Sequence, residues 1–461
     1  MLSKNEIQDI LQKGLDKGFD FVELFFEDKI VNSLRIIDQE VINYGTSNVF
    51  GVGIRLLKQT DEIYIYTNKI DYKYILILIE EQKKQNNGKD ITTIIPLGES
   101  REINNNIKIP FGNWSISNKI SKMMKLSKII KEYNDNIIQS IVSLSEEEQN
   151  VFIANSKGVY QKDSRPYIMC YMMAVAKDNQ KMEEFYDSEG RSMGLEIFDI
   201  IDFETKAKKV AEKVIMLLKA EEIKPQTMTV VISNGGGGVI FHEACGHSLE
   251  ATAISRGLSP FCGKLNQKIA SDILTAYDDG TIGNSFGKLN FDDEGQPTQK
   301  NLLIENGILK NYLIDYRNSL KMKMKVTGSS RRESYKYSPT SRMNSTYIAA
   351  GKDEPQQIIK DTKYGLYAES FSGGTVSPAT GEFNFSVTSG YLIENGKLTK
   401  FVKGMMLIGK GQDVLLKIDR VGNDLLLNQG YCGSISGYVP VDLGQPTIRV
   451  QEMIVGGSKK E

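Results

Sequence analysis

Residues 227–255 read TMTVVISNGGGGVIFHEACGHSLEATAIS, and this stretch predicts how the second half of the chain begins. Its first part, TMTVVIS at 227–233, is a short apolar run that is typical of a buried strand. The four glycines from Gly235 to Gly238 then predict a tight turn, after which VIFHEACGHSLEATAIS continues as a helix. The order of strand, turn and helix places two histidines on a helix that follows a buried strand.

Those two histidines, His242 and His247, are the only ones in the chain, so any imidazole chemistry must occur there. In a regular helix, five steps rotate by about 500°, which leaves the two rings roughly 140° apart. A single π turn absorbs one residue and brings both rings to one face, and such turns concentrate at functional sites. We therefore predict a locally distorted helix between Glu243 and His247, with Gly246 easing the backbone.

A pair of histidines on one helical face, with a glutamate directly after the first, is the pattern of a zinc site. There Glu243 can take a proton from metal-activated water and pass it to the leaving amine. A catalytic zinc has three protein ligands and one open position. Three residues are candidates for the third ligand: Glu250, three residues past His247; Cys245, which is expected to point into the core; and Cys432 in the distant segment QGYCGSISG. The choice stays open between Glu250 and Cys432.

Composition limits the other functions. The 461 residues carry a net charge of -1, which gives no electrostatic footprint for nucleic acid or for an anionic membrane surface. No apolar run is long enough to span a bilayer, and no secretory leader is visible, so we expect a cytoplasmic protein.

The pattern of elements predicts an α+β fold with a break at Lys224-Pro225. We expect an N-terminal α+β domain at 1–224 and a β-rich C-terminal domain at 225–461 that contains the metal-binding helix. The clearest predicted helices are at 4–18, 120–133 and 205–220. Asn-Gly pairs inside 302–313 and 391–402 predict two tight hairpins.

Several stretches in one order resemble the TldD/PmbA family, also called modulators of DNA gyrase, and its metal-binding TldD-type branch. They are GVGIR at 51–55, VIFHEACGHSLE at 239–250, TAYDDGTIG at 275–283, FDDEGQPTQKNLLIENGILKNYL at 291–313, RRESYKYSPTSRMNSTY at 331–347 and PVDLGQPTIRV at 440–450. The resemblance is dense from about residue 228 onward and thinner before it.

This resemblance implies a zinc metallopeptidase whose ligands are His242, His247 and Cys432, with Glu243 as the catalytic base. It thereby favours Cys432 over Glu250. It also implies unfolded or flexible peptides as substrates, cleaved inside a dimer chamber. The dimer is expected to be a homodimer or a heterodimer with a metal-free PmbA/TldE-type subunit. One Zn²⁺ per chain is expected, and Fe²⁺ is the alternative ion.

A second group of residues is predicted to contact substrate. Gly236 and Gly237 expose backbone that can pair with an extended peptide, although a simple tight turn also explains them. A polar stretch farther on offers donors for an oxyanion or a peptide carbonyl, although each is also an ordinary structural residue. These donors are Arg331, Arg332, Tyr335, Arg342 and Tyr347.

Two other functions compete with the peptidase. Another metal-dependent amide hydrolase, of the deformylase kind, can use the same ligands, sometimes with iron. A regulatory protein that binds a gyrase or toxin partner without catalysis is the second alternative. Glu243 favours catalysis, because binding alone needs no general base.

Overall fold

The computed structural model describes residues 2–82, 93–99, 102–103 and 107–457. Helices and strands both occur throughout these residues, which confirms the α+β class. The asparagine-rich tract at 84–106, for which the sequence predicts a surface loop, lies for the most part outside them. Among the described helices, none combines the length and the apolarity that crossing a bilayer requires.

The described residues of the first half form one large sheet, five α-helices and a short 3₁₀ helix at Phe111–Asn113. Its strands are Phe21–Ile37 (β1), Glu40–Lys58 (β2), Asp61–Thr67 (β3), Glu102–Ile103 (β4), Ile137–Asn155 (β5), Tyr160–Asp178 (β6) and Lys181–Arg191 (β7). Its helices are Lys4–Asp16 (α1), Tyr72–Glu80 (α2), Ile116–Lys131 (α3), Ile197–Ile200 (α4) and Phe203–Lys219 (α5).

This sheet has the order β3-β2-β1-β5-β6-β4, and β7 pairs with β6. The sequence predicts separate strands at 21–26 and 33–38, but the structure has the single strand β1, because β2 and β5 pair with it along its length. The N-terminal helix α1 starts at the predicted capping box, in which Ser3 and Glu6 bond reciprocally. Helices α3 and α5 bury their apolar faces in a shared core with β5 and β6.

The second half contains most of the strands. They are Glu221–Glu222 (β8), Gln226–Ile232 (β9), Ala276–Asp279 (β10), Lys300–Glu305 (β11), Ile308–Leu309 (β12), Ser330–Arg331 (β13), Thr340–Ser341 (β14), Ser345–Ile348 (β15), Tyr364–Ser377 (β16), Glu382–Glu394 (β17), Lys397–Lys410 (β18), Ile418–Val421 (β19), Leu426–Ser434 (β20), Gly437–Gln445 (β21) and Ile448–Gly456 (β22). Its α-helices are short: Val239–Phe241 (α6), Ala251–Ile254 (α7), Tyr316–Met322 (α8), Pro355–Lys360 (α9) and Gly411–Leu416 (α10).

Two large sheets contain most of these strands, as the β-rich prediction expects, and β13 pairs with β14 in a separate two-stranded sheet. One has the order β12-β11-β10-β15-β21-β20. In the other, β9, β16, β17, β18 and β22 pair in a closed ring, because β22 pairs with both β9 and β18. Both Asn-Gly hairpins are confirmed: Asn306-Gly307 and Asn395-Gly396 have positive φ, which such two-residue turns require.

Buried ion pairs join the two halves. Arg55 pairs with Glu294, Nη2 of Arg332 lies 2.5 Å from Oε1 of Glu23, and Nη1 of Arg165 lies 2.6 Å from Oδ1 of Asp293. We call these six side chains the inter-half ion network. Each pair has one member in the first half and one in the second, so the network fixes how the halves meet.

Candidate metal centre

The helix that carries the two histidines is distorted where their spacing predicts. Helix α6 ends at Phe241, a π turn spans His242–Gly246, and a 3₁₀ turn spans His247–Leu249. Gly246 has a packing role as well, since a Cβ there would lie 2.2 Å from Sδ of Met343. The predicted π turn is therefore confirmed.

The π turn directs both imidazoles at one cysteine from the far end of the chain. Sγ of Cys432 lies 3.3 Å from Nε2 of His242 and 3.2 Å from Nε2 of His247. The two ring planes are nearly perpendicular, at 86°. All three side chains are buried. Three lone-pair donors thus face one another across a space the size of an ion, and we call them the metal triad.

The β20–β21 hairpin brings Cys432 to the helix. Cys432 lies opposite Val439, close to the turn that joins the two strands. This turn is fastened from inside the protein by Arg342, whose Nη1 donates to Oγ of Ser436 and to the carbonyl of Gly437, both at 2.9 Å. Nη2 of Arg342 donates to the carbonyl of Cys432 itself. The cysteine therefore has a fixed backbone.

The donor set fits a zinc ion. With Zn–N near 2.05 Å and Zn–S near 2.3 Å, tetrahedral geometry gives an N···S separation of about 3.5 Å. The two observed N···S separations, 3.3 and 3.2 Å, lie close to it. Three protein ligands leave the fourth position of a tetrahedral ion open, which is the arrangement of catalytic rather than structural zinc.

Glu243 lies beside the triad and not within it. Its Oε2 is 3.6 Å from Nε2 of His247, and its side chain is 28% exposed, far more than the triad residues. A carboxylate that reaches both the ligand cluster and solvent can exchange protons with water at the open position. This is the placement that a general base requires.

The charges of the triad favour the ligand form of the cysteine. Burial raises the pKa of the Cys432 thiol, but His247 and His242 outweigh burial and hold this pKa well below its usual range. Burial lowers the pKa of His247, but Glu250 and Cys432 outweigh it and raise this pKa well above its usual range. A thiolate is the form of cysteine that binds metal.

Glu250 occupies a different position from the one a third ligand would need. Its Oε1 lies 3.2 Å from Nδ1 of His247, on the side of the ring away from Cys432. The cluster of possible ligand atoms within 4.8 Å of one another contains His242, His247 and Cys432, without Glu250. Of the two alternatives that the sequence left open, the fold brings Cys432 to the imidazoles.

The polar stretch at 331–347 is inside the protein. Nη1 of Arg331 donates to the carbonyls of Met343 and Pro440, and Arg332 belongs to the inter-half ion network. Tyr335 packs with Tyr66, and Tyr347 packs with Tyr277. The five predicted residues are all buried: Arg331, Arg332, Tyr335, Arg342 and Tyr347. The contacts described here are with other parts of the protein, and a substrate role for these residues stays a prediction.

The glycine turn is also closely packed. A Cβ on Gly237 would lie 2.6 Å from Cγ2 of Ile232, and one on Gly238 would lie 2.5 Å from the backbone nitrogen of Gly444. Gly236 is partly exposed and would accept a Cβ at 3.4 Å from Asn428. Close packing of the turn against β9 and β21 explains Gly237, and a substrate role for Gly236 stays a prediction.

The chain matches three domains of one family along nearly its whole length. These are the PmbA/TldA metallopeptidase domain 1 at residues 22–81, the central domain at 109–218 and the C-terminal domain at 225–457. A metalloprotease TldD homolog from Buchnera aphidicola is 32% identical over 478 residues, covering 99% of this chain and 98% of the relative. The chain therefore belongs to the PmbA/TldA metallopeptidase family.

Solved structures show the same fold. A crystal structure of a proposed modulator of a DNA gyrase from Thermotoga maritima has a TM-score of 0.79 at 19% identity, covering 98% of this chain and 99% of that one. The crystal structure of TldE from Thermococcus kodakarensis has a TM-score of 0.74 at 20% identity, covering 98% of this chain and 100% of that one. At these identities the likeness is one of fold alone.

Proposed function

We propose that this protein is a zinc-dependent peptidase that holds its ion with the metal triad and uses Glu243 as general base. The observation that carries the proposal is the convergence of His242, His247 and Cys432 on one point beside a partly exposed glutamate. The name of the Buchnera relative, a metalloprotease, agrees with this chemistry. Fe²⁺ suits the same donors and is the alternative ion.

When bound, the ion supplies Lewis acidity toward water and toward the scissile carbonyl. The side chains of the protein then divide the remaining work. Glu243 accepts a proton from the attacking water and delivers it to the amine of the departing peptide, which is the sequence of transfers that peptide hydrolysis needs. Delivery of that proton to the amine regenerates the Glu243 carboxylate, so the next turnover starts from the same state.

We propose unfolded or flexible peptides as the substrates, since an extended chain can present its backbone to a site between helix and sheet. We also propose a dimer, for which a chain of the TldE type is a candidate partner because the TldE structure shares this fold over its whole length. A heterodimer with a subunit of that type, or a homodimer, is proposed. All four cysteines are unpaired, which agrees with the proposed cytoplasmic location because that compartment is reducing.

The test is the pair Glu243→Gln and wild type, assayed on a library of unstructured peptides and analysed for bound metal. Glutamine has the shape of glutamate but cannot accept the proton. We expect hydrolysis to fall by about 10²–10⁴-fold, the usual contribution of a general base, while the metal content stays that of wild type. Hydrolysis at the wild-type rate by Glu243→Gln would contradict the mechanism.

The same assay separates the two competing functions. A metal-dependent amide hydrolase of the deformylase kind would cleave formyl-amide substrates faster than any peptide in the library. A regulatory binding protein would cleave neither class, although it would still bind a partner. Either result would overturn the proposed peptidase.

A further inference from the structure

Arg342 is among the largest fully buried side chains in the described part of the molecule. A buried guanidinium is costly unless its donors are met, and four polar groups surround this one. Three of them belong to the β20–β21 hairpin: the carbonyl of Cys432, Oγ of Ser436 and the carbonyl of Gly437. The arginine is thus bonded to the backbone of one residue of the metal triad.

The fourth group connects Arg342 to a second triad residue. Nε of Arg342 lies 3.8 Å from Oε1 of Glu250, and the same carboxylate oxygen lies 3.2 Å from Nδ1 of His247. A chain of polar contacts therefore runs from the Cys432 backbone through Arg342 and Glu250 to the His247 ring. Neither Nε of Arg342 nor Oε1 of Glu250 has a conventional hydrogen bond to another described group, so these two charges are left facing each other.

Each link of this path has a physical consequence for the ligands. A carboxylate beside Nδ1 favours the tautomer that carries its proton there, which leaves the lone pair on Nε2, the atom that faces Cys432. The guanidinium attracts that carboxylate and holds it in place. Its fork at the same time fixes the carbonyl of Cys432, and so the direction of the thiol.

We propose that Arg342 is a positioning residue that aligns His247, through Glu250, with Cys432. The proposal rests on the metal triad of the proposed function and goes beyond it, because it assigns one arginine the joint placement of two ligands. The sequence analysis interprets Arg342 as a donor to substrate. Its burial and its contacts exclude direct access of a substrate to it in this conformation.

The experiment measures zinc affinity of the full-length protein by competition with a chromophoric chelator. We expect Arg342→Lys and Glu250→Gln each to weaken zinc binding by about 10–100-fold, the usual effect of losing a partner behind a metal ligand. Lysine keeps the charge but cannot hold both the hairpin carbonyls and the carboxylate. The double variant should bind zinc at most about threefold more weakly than the single variant with the lower zinc affinity, because both changes break one path.

Arg331→Lys is the matched control. Arg331 is also buried, and it also donates to a carbonyl of β21, that of Pro440, but its bonds do not reach Glu250 or Cys432. We expect its zinc affinity to stay within about threefold of wild type, since lost hydrogen bonds away from the ligands act on folding rather than on the ion. Thermal unfolding of each metal-free variant shows whether the fold is kept.

The outcomes separate this inference from the proposed function. If wild type binds no zinc, the proposed function fails, and the inference fails with it. If wild type binds zinc and a folded Arg342→Lys binds it equally well, only the inference fails. It also fails if Arg331→Lys loses as much affinity as Arg342→Lys, or if the two path variants have fully additive effects. Should Arg342→Lys not fold, Glu250→Gln alone decides: unchanged affinity overturns the inference.

Discussion

The metal triad and the inter-half ion network are both buried polar clusters, but the atoms of the two clusters face different kinds of partner. In the network each guanidinium faces carboxylates, as Arg165 does with Asp163 and Asp293. In the triad, two ring nitrogens and a sulfur face one another, and all three are metal-ligand atoms. A cluster of paired charges holds a fold together, whereas a cluster of converging ligand atoms is suited to hold an ion from outside the chain.

Removing the metal should separate the roles of the two clusters most clearly, because it should abolish hydrolysis at the triad and leave the network unchanged. We expect a chelator to abolish peptide hydrolysis, by at least about 10³-fold, because the ion supplies the polarisation that no side chain here can replace. The far-ultraviolet circular dichroism should stay that of the folded protein, because the network holds the halves together without metal. Full activity after exhaustive chelation, verified by metal analysis, would contradict this picture.

Breaking the network should lower the stability of the fold and leave metal binding unchanged. Arg55 is fully buried, with Nε 2.6 Å from Oε2 of Glu62 and Nη1 against Glu294. Arg55→Met leaves those carboxylates buried without their partner, so we expect the free energy of unfolding to fall by about 3–5 kcal/mol. Denaturant unfolding measures this loss, and the zinc content of the folded fraction should not change.

The control for Arg55→Met is a surface arginine with two acidic partners. Arg420 lies 3.1 Å from both Asp353 and Asp361, but its side chain is 38% exposed. Arg420→Met should therefore lower the free energy of unfolding by less than about 1 kcal/mol. If Arg55→Met and Arg420→Met lower the free energy of unfolding equally, burial does not explain how much the network stabilises the fold.

The sequence predicts local features of both regions better than their long-range partners. The five-residue spacing of His242 and His247 is enough to predict the π turn, and the pair Asn306-Gly307 is enough to predict its hairpin. Each of these features depends on neighbouring residues alone. The partnership of Cys432 with histidines 185 and 190 residues away depends on the β20–β21 hairpin and on Arg342. No periodicity in the sequence indicates it, and the family resemblance was needed to choose Cys432.

The sequence analysis interprets Arg331 and Arg332 as substrate contacts, and it could not predict the distant residues with which they pair. Charged residues are mostly exposed, so an exposed role is the natural expectation from sequence. Their partners, which include Glu23 and Pro440, come from strands that are remote in sequence. The length of β1 is a similar case, since pairing with β5 extends it beyond its apolar segments.

A smaller effect is expected from the protonation of the network. The network contains Glu294 and adjoins Asp292, and burial raises the pKa of Glu294 to about 8 and that of Asp292 to about 7. The folded state then retains protons that the unfolded state releases, so stability is greatest at low pH within this window and falls as pH rises. We expect the free energy of unfolding to fall as pH rises between about pH 5 and about pH 8.

Unfolding in denaturant at a series of pH values measures this slope, and Glu294→Gln should reduce it, since glutamine does not titrate. Stability that rises with pH over the same range in wild type would show that the network is ionised throughout and would contradict the assignment.

The central claim, that three side chains converge in order to hold one ion, is tested most directly by metal analysis of purified protein. Cys432→Ala should be compared with wild type and with Cys245→Ala, whose buried thiol packs in the apolar core of the second half. We predict about one zinc per chain in wild type and in Cys245→Ala, and almost none in Cys432→Ala. A full equivalent of metal in folded Cys432→Ala would contradict the account.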